Sequence, residues 1–367
     1  MALNRETTQT IRVPRRGGKI ALEEAVGSPL FAAYQLYPPR PAIKGLDGLP
    51  FSPQFLADVE GRLDDVGLRL KSMDQCGIQY AILSLTSPGI EGVSDAATAI
   101  HFAKETNDDI YHKYVEPHPS RFGFFACVAM HDPKEAAKEL ERAVTQLGAK
   151  GVLVNGFTNL DDRDEQLRYL DAPECELFWA MLHHLKVPLY LHPRLPPTHQ
   201  QVLYSQYPNL ASASYGFGVE CAGHALRIMC SGILDKYPVN IILGHCAEAL
   251  PFLIHRAGQR INIGTPGSNG KHTKPLMHYF RTHFIATLAG VRRHSTLRNT
   301  IEELGESRVM FSVDYPYESN EDAVDWFDAL EINENSRAAI SHQNAVRLFG
   351  LDSKCTELRT SKILGHL

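Results

Sequence analysis

The chain alternates between short, continuously apolar runs and longer segments with helical periodicity. Eight of the apolar runs have the length of a strand and lack the apolar–polar alternation of a half-exposed strand. Continuous apolar runs are typical of parallel strands that are buried on both faces. The predicted strands are 19–24, 80–86, 122–130, 150–157, 187–192, 239–245, 283–288 and 308–314.

The segments between these strands show the repeat of amphipathic helices, most clearly in 132–151. Asp132 is suited to cap this helix, Pro133 to its first turn and Gly148 to its exit. Strands and helices that alternate in this way predict an α/β fold, a TIM-like (β/α)8 barrel. A doubly wound open sheet is the alternative, but the first strand runs into LEEAVGSP without the expected G-x-G-x-x-G turn.

The domain organisation follows from where the pattern begins and ends. We predict one barrel domain over 18–350, preceded by a polar N-terminal arm over 1–17 and followed by a C-terminal tail over 351–367. The Pro- and Gly-rich stretch near 28–55 is long for a connection, and long loops are often functional. We expect it to pass over the mouth of the barrel.

Composition narrows the class of protein. With 367 residues and 44% hydrophobic content, the chain can bury a large core. A net charge of -5 without a basic stripe argues against a nucleic-acid partner, and no apolar run approaches the roughly 20 residues of a membrane span. The first residues lack an apolar core segment, so we predict no secretory signal, and the seven cysteines are never spaced C-x-x-C. We therefore predict a cytoplasmic protein without a membrane partner.

The ends of the predicted strands carry the candidate chemistry. In such a barrel the active site gathers at the carboxyl ends of the strands. Glu23, His192, His245 and Asp314 occupy four of those ends, and two imidazoles with two carboxylates are the composition of a metal site. Glu24 competes with Glu23, because alternating side chains let only one of the two point inward.

Each of these residues also has a purely structural interpretation. Glu23 could cap the next segment, Asp314 could form an Asp-Tyr-Pro turn, and His245 could be a satisfied imidazole beside a helix that starts at Ala247. Four such coincidences at one end of one barrel are harder to accept than a single site.

Several segments together resemble the aromatic-acid decarboxylases of the amidohydrolase superfamily, a group that includes 2,3-dihydroxybenzoate, γ-resorcylate and salicylate decarboxylases. The resemblance runs in collinear order from about residue 18 to 350. The segments are GKIALEEA, RLKSMDQCGIQYAILSLTSPG, MHDPKEAAKELERAV, VPLYLHPR, HALRIMCSGILDKYP, NIILGHCAEALPF and VMFSVDYPYE.

The resemblance implies a barrel of the amidohydrolase type, a homodimer or homotetramer, and one divalent metal without an organic cofactor. It implies Glu23, His192 and Asp314 as ligands, and His245 with Glu248 as the pair of a G-H-x-x-E motif. We expect Zn²⁺ first, with Mg²⁺ or Mn²⁺ as alternatives, because one imidazole and two carboxylates suit all three. Many relatives carry a histidine where this chain has Ala25, so we expect three protein ligands plus water or substrate.

The implied activity is non-oxidative, reversible decarboxylation of ortho-hydroxy aromatic acids of the salicylate, dihydroxybenzoate or methylsalicylate type. The ring carbon would be protonated before CO₂ leaves, with Asp314 as the first-choice acid. His245, supported by Glu248, would manage the phenol proton or serve as the alternative acid. Weaker candidates for substrate contact are Asn155, Arg194, Thr86, Phe217 and Thr287.

Two other functions remain open from the sequence. A metal-dependent hydrolase of the same superfamily, acting on an ester, lactone or amide, usually has H-x-H on the first strand and often a bridging lysine on the fourth. Glu23, Glu24, Ala25 and Asn155 stand at those places here. A catalytically inactive barrel that serves as a binding module is the second alternative, and the intact acidic and imidazole set argues against it.

Overall fold

The computed structural model describes residues 18–30, 51–163, 165–264 and 270–351. The predicted arm over 1–17, most of the predicted loop over 28–55 and nearly all of the predicted tail lie outside the described residues.

Eight parallel strands form the centre of the molecule, one within each apolar run. They are β1 Lys19–Val26, β2 Ile78–Leu85, β3 Phe122–Phe124, β4 Val152–Asn155, β5 Leu189–His192, β6 Ile241–Leu243, β7 Phe284–Thr287 and β8 Val309–Met310. Most are shorter than predicted, because the chain leaves the hydrogen-bonded ladder before the apolar run ends. A two-stranded antiparallel ribbon, Thr158–Asn159 with Leu167–Arg168, follows β4.

The strands pair in the order of a barrel. One sheet has the order β1-β2-β3 and the other the order β8-β7-β6-β5-β4. Isolated parallel bridges join Ala126 to Val152 and Glu24 to Tyr315, one at each seam between the sheets. At the second seam the Asp314 amide donates to the Glu23 carbonyl at 3.0 Å, so the ends of β1 and β8 are held side by side. The predicted (β/α)8 fold is confirmed.

Helices cover the outside of the strands. They are α1 Pro53–Leu63, α2 Val66–Cys76, α3 Ala96–Ile110, α4 Pro133–Leu147, α5 Glu176–Leu185, α6 Gly216–Ser231, α7 Leu250–Ile261, α8 Leu276–His283, α9 His294–Leu304 and α10 Asn320–Asp328, with short helices at Ile233–Lys236, Glu334–Ala338 and Asn344–Phe349. Tighter 3₁₀ turns lie at Ile90–Gly92, Pro173–Cys175, Thr198–Tyr204, Pro208–Ala211 and Glu306–Arg308, and π turns at Tyr111–Val115 and Ala339–Gln343. None of the described helices is long and apolar enough to cross a membrane.

The capping residues predicted for α4 act as expected. The Asp132 carboxylate accepts hydrogen bonds from the amides of Lys134 and Glu135 at 3.0 and 3.2 Å. Gly148 ends the helix with a φ of +74°, a conformation in which glycine avoids the strain of a side chain.

A buried cluster inside the barrel supports the catalytic end. It takes residues from every strand or its immediate continuation, and two larger clusters fill the space between barrel and helices. Its members on or next to the strands are Ile20, Leu22, Tyr80, Ile82, Phe125, Leu153, Tyr190, Ile242, Ile285 and Met310. A packed interior of this kind leaves the strand ends as the place for a site.

Candidate active site

The three predicted metal ligands converge at the carboxyl end of the barrel. Glu23, His192 and Asp314 each offer one ligand atom, and these atoms lie within 4.8 Å of one another. The Nε2 atom of His192 is 3.3 Å from Oε1 of Glu23. They come from β1, β5 and the segment after β8, so the barrel brings together residues that are far apart in sequence.

The surroundings of Glu23 fit a bound cation. Its Oε2 accepts hydrogen bonds from the hydroxyl groups of Tyr190 and Thr287, the latter at 3.1 Å. Its Oε1 is buried and accepts no hydrogen bond from any described residue. A buried carboxylate oxygen without a partner costs about 1–3 kcal/mol or more, and a divalent cation would satisfy it.

Gly244 allows this carboxylate to sit where it does. A Cβ atom at Gly244 would lie 2.7 Å from Oε1 of Glu23, closer than any real contact. The glycine before His245 is therefore required by the close approach of Glu23 to the backbone.

Asn155 orients His192. The Nδ1 atom of His192 lies 2.8 Å from Oδ1 of Asn155, so the imidazole donates to the carboxamide and keeps Nε2 for the site. The Asn155 amide nitrogen donates in turn to Oε2 of Glu91 at 3.4 Å. Asn155 is buried and positions a candidate ligand, and its role as a substrate contact stays a prediction.

Glu91 is a residue that sequence reasoning missed. It is buried in the turn Ile90–Gly92, and burial raises its pKa to about 7. Its only signal in the sequence is the SPG turn just before it, which does not indicate that its carboxylate faces Asn155.

His245 lies in a left-handed turn. All five residues from His245 to Ala249 have a positive φ between 50° and 64°, a rare conformation for residues other than glycine. The predicted helix start at Ala247 is wrong, because α7 begins only at Leu250, after this turn. Strained backbone of this kind is found at functional sites, where the surrounding structure enforces it.

The turn presents His245 to both candidate carboxylate ligands. Its Nδ1 lies 2.7 Å from Oε1 of Glu248, and its Nε2 lies 3.7 Å from both Oε1 of Glu23 and Oδ2 of Asp314. Burial alone lowers the pKa of His245, but the charges of Glu248 and Glu23 outweigh burial and raise it well above the usual range. The imidazole is therefore held protonated by the protein groups around it.

The two candidate carboxylate ligands differ in their preference for a proton. Burial raises the pKa of Asp314, and its hydrogen bond to His245 only partly offsets this. Burial also raises the pKa of Glu23, but the charge of His245 and the adjacent His192 outweigh burial and lower it. Asp314 is thus the carboxyl group that accepts a proton more readily, as an acid–base role requires.

The structure separates Glu23 from Glu24. The Glu24 carboxylate accepts from the Val313 amide at 3.2 Å and from the Ser312 hydroxyl at 3.4 Å, away from His192. Burial raises its pKa to about 8. A register shift between β1 and β2 falls between Ala21 and Glu24, where simple alternation is interrupted.

The other residues predicted as substrate contacts differ in their burial and in their partners. Thr287 is fully buried and donates to Glu23, so it supports a ligand and does not face open space. Arg194 places its guanidinium 4.3 Å from the centre of the Phe157 ring and donates to the Phe157 carbonyl at 2.8 Å.

Thr86 and Phe217 lie at other parts of the same end. The Thr86 hydroxyl is 2.6 Å from the hydroxyl of Tyr317, a residue that sequence reasoning did not single out. Phe217 is half-buried at the start of α6. Its neighbour Gly218 approaches Glu248, because a Cβ there would be 3.0 Å from Oε2.

Comparisons with known proteins agree with this geometry. The model of the amidohydrolase family matches residues 37–351. The chain therefore belongs to the amidohydrolase family.

Similar proteins within that family are decarboxylases. Gamma-resorcylate decarboxylase from Rhizobium sp. (strain MTP-10005) is 38% identical over 338 residues, covering 91% of this chain and 99% of the relative. The crystal structure of 2,6-dihydroxybenzoate decarboxylase with 2,6-dihydroxybenzoate has a TM-score of 0.84 at 36% identity, covering 92% of this chain and 100% of that one.

A dihydroxybenzoic acid decarboxylase from Polaromonas sp. JS666, with bound manganese and 2-nitroresorcinol, has a TM-score of 0.83 at 35% identity and covers 92% of this chain and 99% of that one. These comparisons confirm the predicted resemblance to aromatic-acid decarboxylases. They favour carboxy-lyase chemistry over the hydrolase alternative.

Proposed function

We propose that this protein is a metal-dependent, non-oxidative decarboxylase of aromatic acids with a hydroxyl group ortho to the carboxylate. The observation that carries the proposal is the cluster of Glu23, His192 and Asp314 within 4.8 Å. His245 approaches both carboxylates of that cluster. The relatives that act on dihydroxybenzoates support the substrate class.

Glu23, His192 and Asp314 would hold one divalent cation, and Glu23 Oε1 is the oxygen that most needs it. When bound, such an ion would supply a Lewis acid that stabilises the negative charge of an ortho-hydroxy acid substrate. Zinc remains our prediction from the donor set. The manganese in the Polaromonas relative makes Mn²⁺ the first competitor.

Asp314 is the residue we assign to protonate the ring carbon. Its position supports this role, because its Oδ2 faces Nε2 of His245, a group that can supply a proton to it. The proton moves from its carboxyl group to the carbon bearing the substrate carboxylate, the C–C bond then breaks, and CO₂ leaves as the ring recovers its electron pair. Asp314 can regain a proton from His245, whose Nε2 lies 3.7 Å from its Oδ2.

His245 and Glu248 form the second proton-handling unit. Because Glu248 accepts from Nδ1, the imidazole directs Nε2 toward the site. Once His245 has given its proton to Asp314, the free Nε2 can take up the phenol proton of the next substrate molecule. Five residues remain proposed substrate contacts: Thr86, Asn155, Arg194, Phe217 and Thr287.

We also propose a homodimer or homotetramer. Exposed apolar side chains cluster in the 198–219 region, which is the kind of surface that subunit interfaces cover. They are Val202, Leu203, Tyr207, Leu210, Tyr215 and Val219. Location in the cytoplasm stays a prediction of the sequence.

A panel of hydroxybenzoates tests the proposed reaction. We expect CO₂ release from 2,6-dihydroxybenzoate, 2,3-dihydroxybenzoate or 6-methylsalicylate, and little from 3- or 4-hydroxybenzoate, which cannot chelate through phenolate and carboxylate. In D₂O the product should carry one deuteron at the former carboxyl carbon. Brisk turnover of 4-hydroxybenzoate, or ester hydrolysis without CO₂ release from any ortho-hydroxy acid, would contradict the proposal.

A further inference from the structure

A cavity opens between the segment after β7 and helices α9 and α10. Its volume is about 440 Å³, within the range of small-molecule sites. None of the candidate catalytic residues lines it. The lining residues are Arg292, Arg293, His294, Ser295, Arg298 and Trp326.

The cavity concentrates positive charge in a protein of net charge -5. Its lining includes three arginines and, among the residues that the structure describes, no carboxylate. Arg292 pairs with Glu318 at 2.7 Å, but Arg293 and Arg298 form no ion pair within the described parts of the chain. The three arginines are exposed, and the guanidinium groups of Arg293 and Arg298 beside that of Arg292 create a positive potential that attracts an anion.

The start of α9 adds to that potential. The 11-residue helix begins at His294 without a side-chain cap and without an acidic residue in its first turn. Its first amide groups therefore add partial positive charge at the same place. Arg298 follows His294 by four residues, which puts both on one face of α9.

Trp326 gives the cavity an aromatic wall. It lies on α10, is half-buried and packs against the hydrophobic core. An aromatic plane beside arginines suits a ligand that joins an anionic group to a flat or apolar part.

The cavity lies at the catalytic end of the barrel, beside the active site. Two residues before Arg292, a Cβ on Gly290 would be 3.2 Å from Cδ2 of His245. Glu318, the partner of Arg292, donates its amide to the Asp314 carbonyl at 2.9 Å.

We propose that this cavity is a binding site for a phosphate group, either free phosphate or the terminus of a phosphate ester. Arginine side chains offer paired donors that match the oxygens of phosphate, and helix amides favour the same charge. A doubly charged, tetrahedral anion can accept hydrogen bonds from more than one arginine at once, and this cavity has three in its lining.

The protein carries its own reporter for the test. Of its two tryptophans, Trp179 is fully buried and donates to the Leu170 carbonyl, whereas Trp326 lines the cavity. We would titrate the metal-loaded enzyme with inorganic phosphate and with phenyl phosphate, at constant ionic strength set by NaCl, and follow tryptophan fluorescence. A saturable change is expected with phosphate. If phenyl phosphate binds more tightly than inorganic phosphate, the ligand is a phosphate ester. Equal affinity for the two would indicate free phosphate.

Variants locate the signal. Arg293→Gln and Arg298→Gln should each weaken binding at least about tenfold, the usual loss for a charge-assisted hydrogen bond. Arg260→Gln, on an exposed part of α7, is the matched control and should bind as the parent does. Trp326→Phe should remove the signal while calorimetry still detects binding. A fluorescence change reproduced by NaCl alone, unchanged affinity in both arginine variants, or a signal that survives in Trp326→Phe would overturn the proposal.

Discussion

Glu23 and Glu24 are adjacent, equally buried glutamates that face different regions of the molecule. Glu23 faces the mouth, where the imidazoles of His245 and His192 and the hydroxyl group of Tyr190 lower its pKa despite burial. Glu24 faces the seam between β1 and β8, where burial raises its pKa to about 8. The comparison teaches that burial alone does not make a carboxylate a ligand. What decides is the sign of the charge on the groups that surround the carboxylate.

The largest expected effect comes from Glu23→Gln. Loss of the negative oxygen should lower metal content and reduce kcat/KM by about three orders of magnitude or more, because a bound ion contributes several kcal/mol to the transition state. Metal analysis and steady-state kinetics check this. Glu24→Gln, the same substitution one residue later, is the control. Full metal occupancy and activity in Glu23→Gln would show that the wrong glutamate faces the site.

The second-largest loss of activity is expected from His245→Ala. If this residue moves protons and does not hold the metal, the variant should keep bound metal and lose roughly two to four orders of magnitude in rate. Metal content and single-turnover kinetics on the same preparation separate the two roles. Loss of metal in this variant would show that His245 is a fourth ligand. The assignment of three ligands with a separate proton carrier would then be wrong.

Asn155→Ala should have an intermediate effect. Without the carboxamide that accepts from Nδ1, His192 loses its fixed orientation, and metal affinity should fall by about 10–100-fold. A chelator competition assay measures the affinity. Added metal should restore most of the activity, since Asn155 is not assigned to the chemistry; a rate that stays low at saturating metal would instead place Asn155 against the substrate.

The smallest effect on catalysis is expected from Glu24→Gln. With a pKa of about 8, Glu24 is mostly neutral at pH 7, and glutamine matches the neutral form in shape. Activity and metal content should stay close to those of the parent enzyme.

The pH dependence of thermal stability should differ between Glu24→Gln and the parent protein. A carboxyl pKa raised by folding contributes stability that is full below its unfolded pKa of about 4.5 and is lost as pH rises to about 8. Tm of the parent should therefore fall more steeply over this range than Tm of the variant. Parallel curves would mean that Glu24 is ionised in the folded protein.

The sequence by itself determined the fold class and the candidate ligand set. Continuous apolar runs identify strands buried on both faces, and Asp132 and Gly148 fix the ends of α4 through local hydrogen bonds and backbone preference. The strand ends alone indicated four candidates, Glu23, His192, His245 and Asp314, because parallel strands in a barrel bring their carboxyl ends together. The resemblance to the aromatic-acid decarboxylases then implied which three of these would be ligands, and those three converge in the structure.

Only the tertiary structure decided which neighbours these residues have. Glu23 meets Thr287 across 264 residues of sequence, and Asn155 meets Glu91 across 64, so no local pattern records either contact. The left-handed turn at His245 and the register shift in β1 depart from the helix and strand periodicities on which a prediction from sequence depends. Surrounding contacts can hold a backbone conformation that local preference disfavours. The arginine cavity could not be predicted from the sequence either, because it forms only where the segment after β7 and helices α9 and α10 lie side by side.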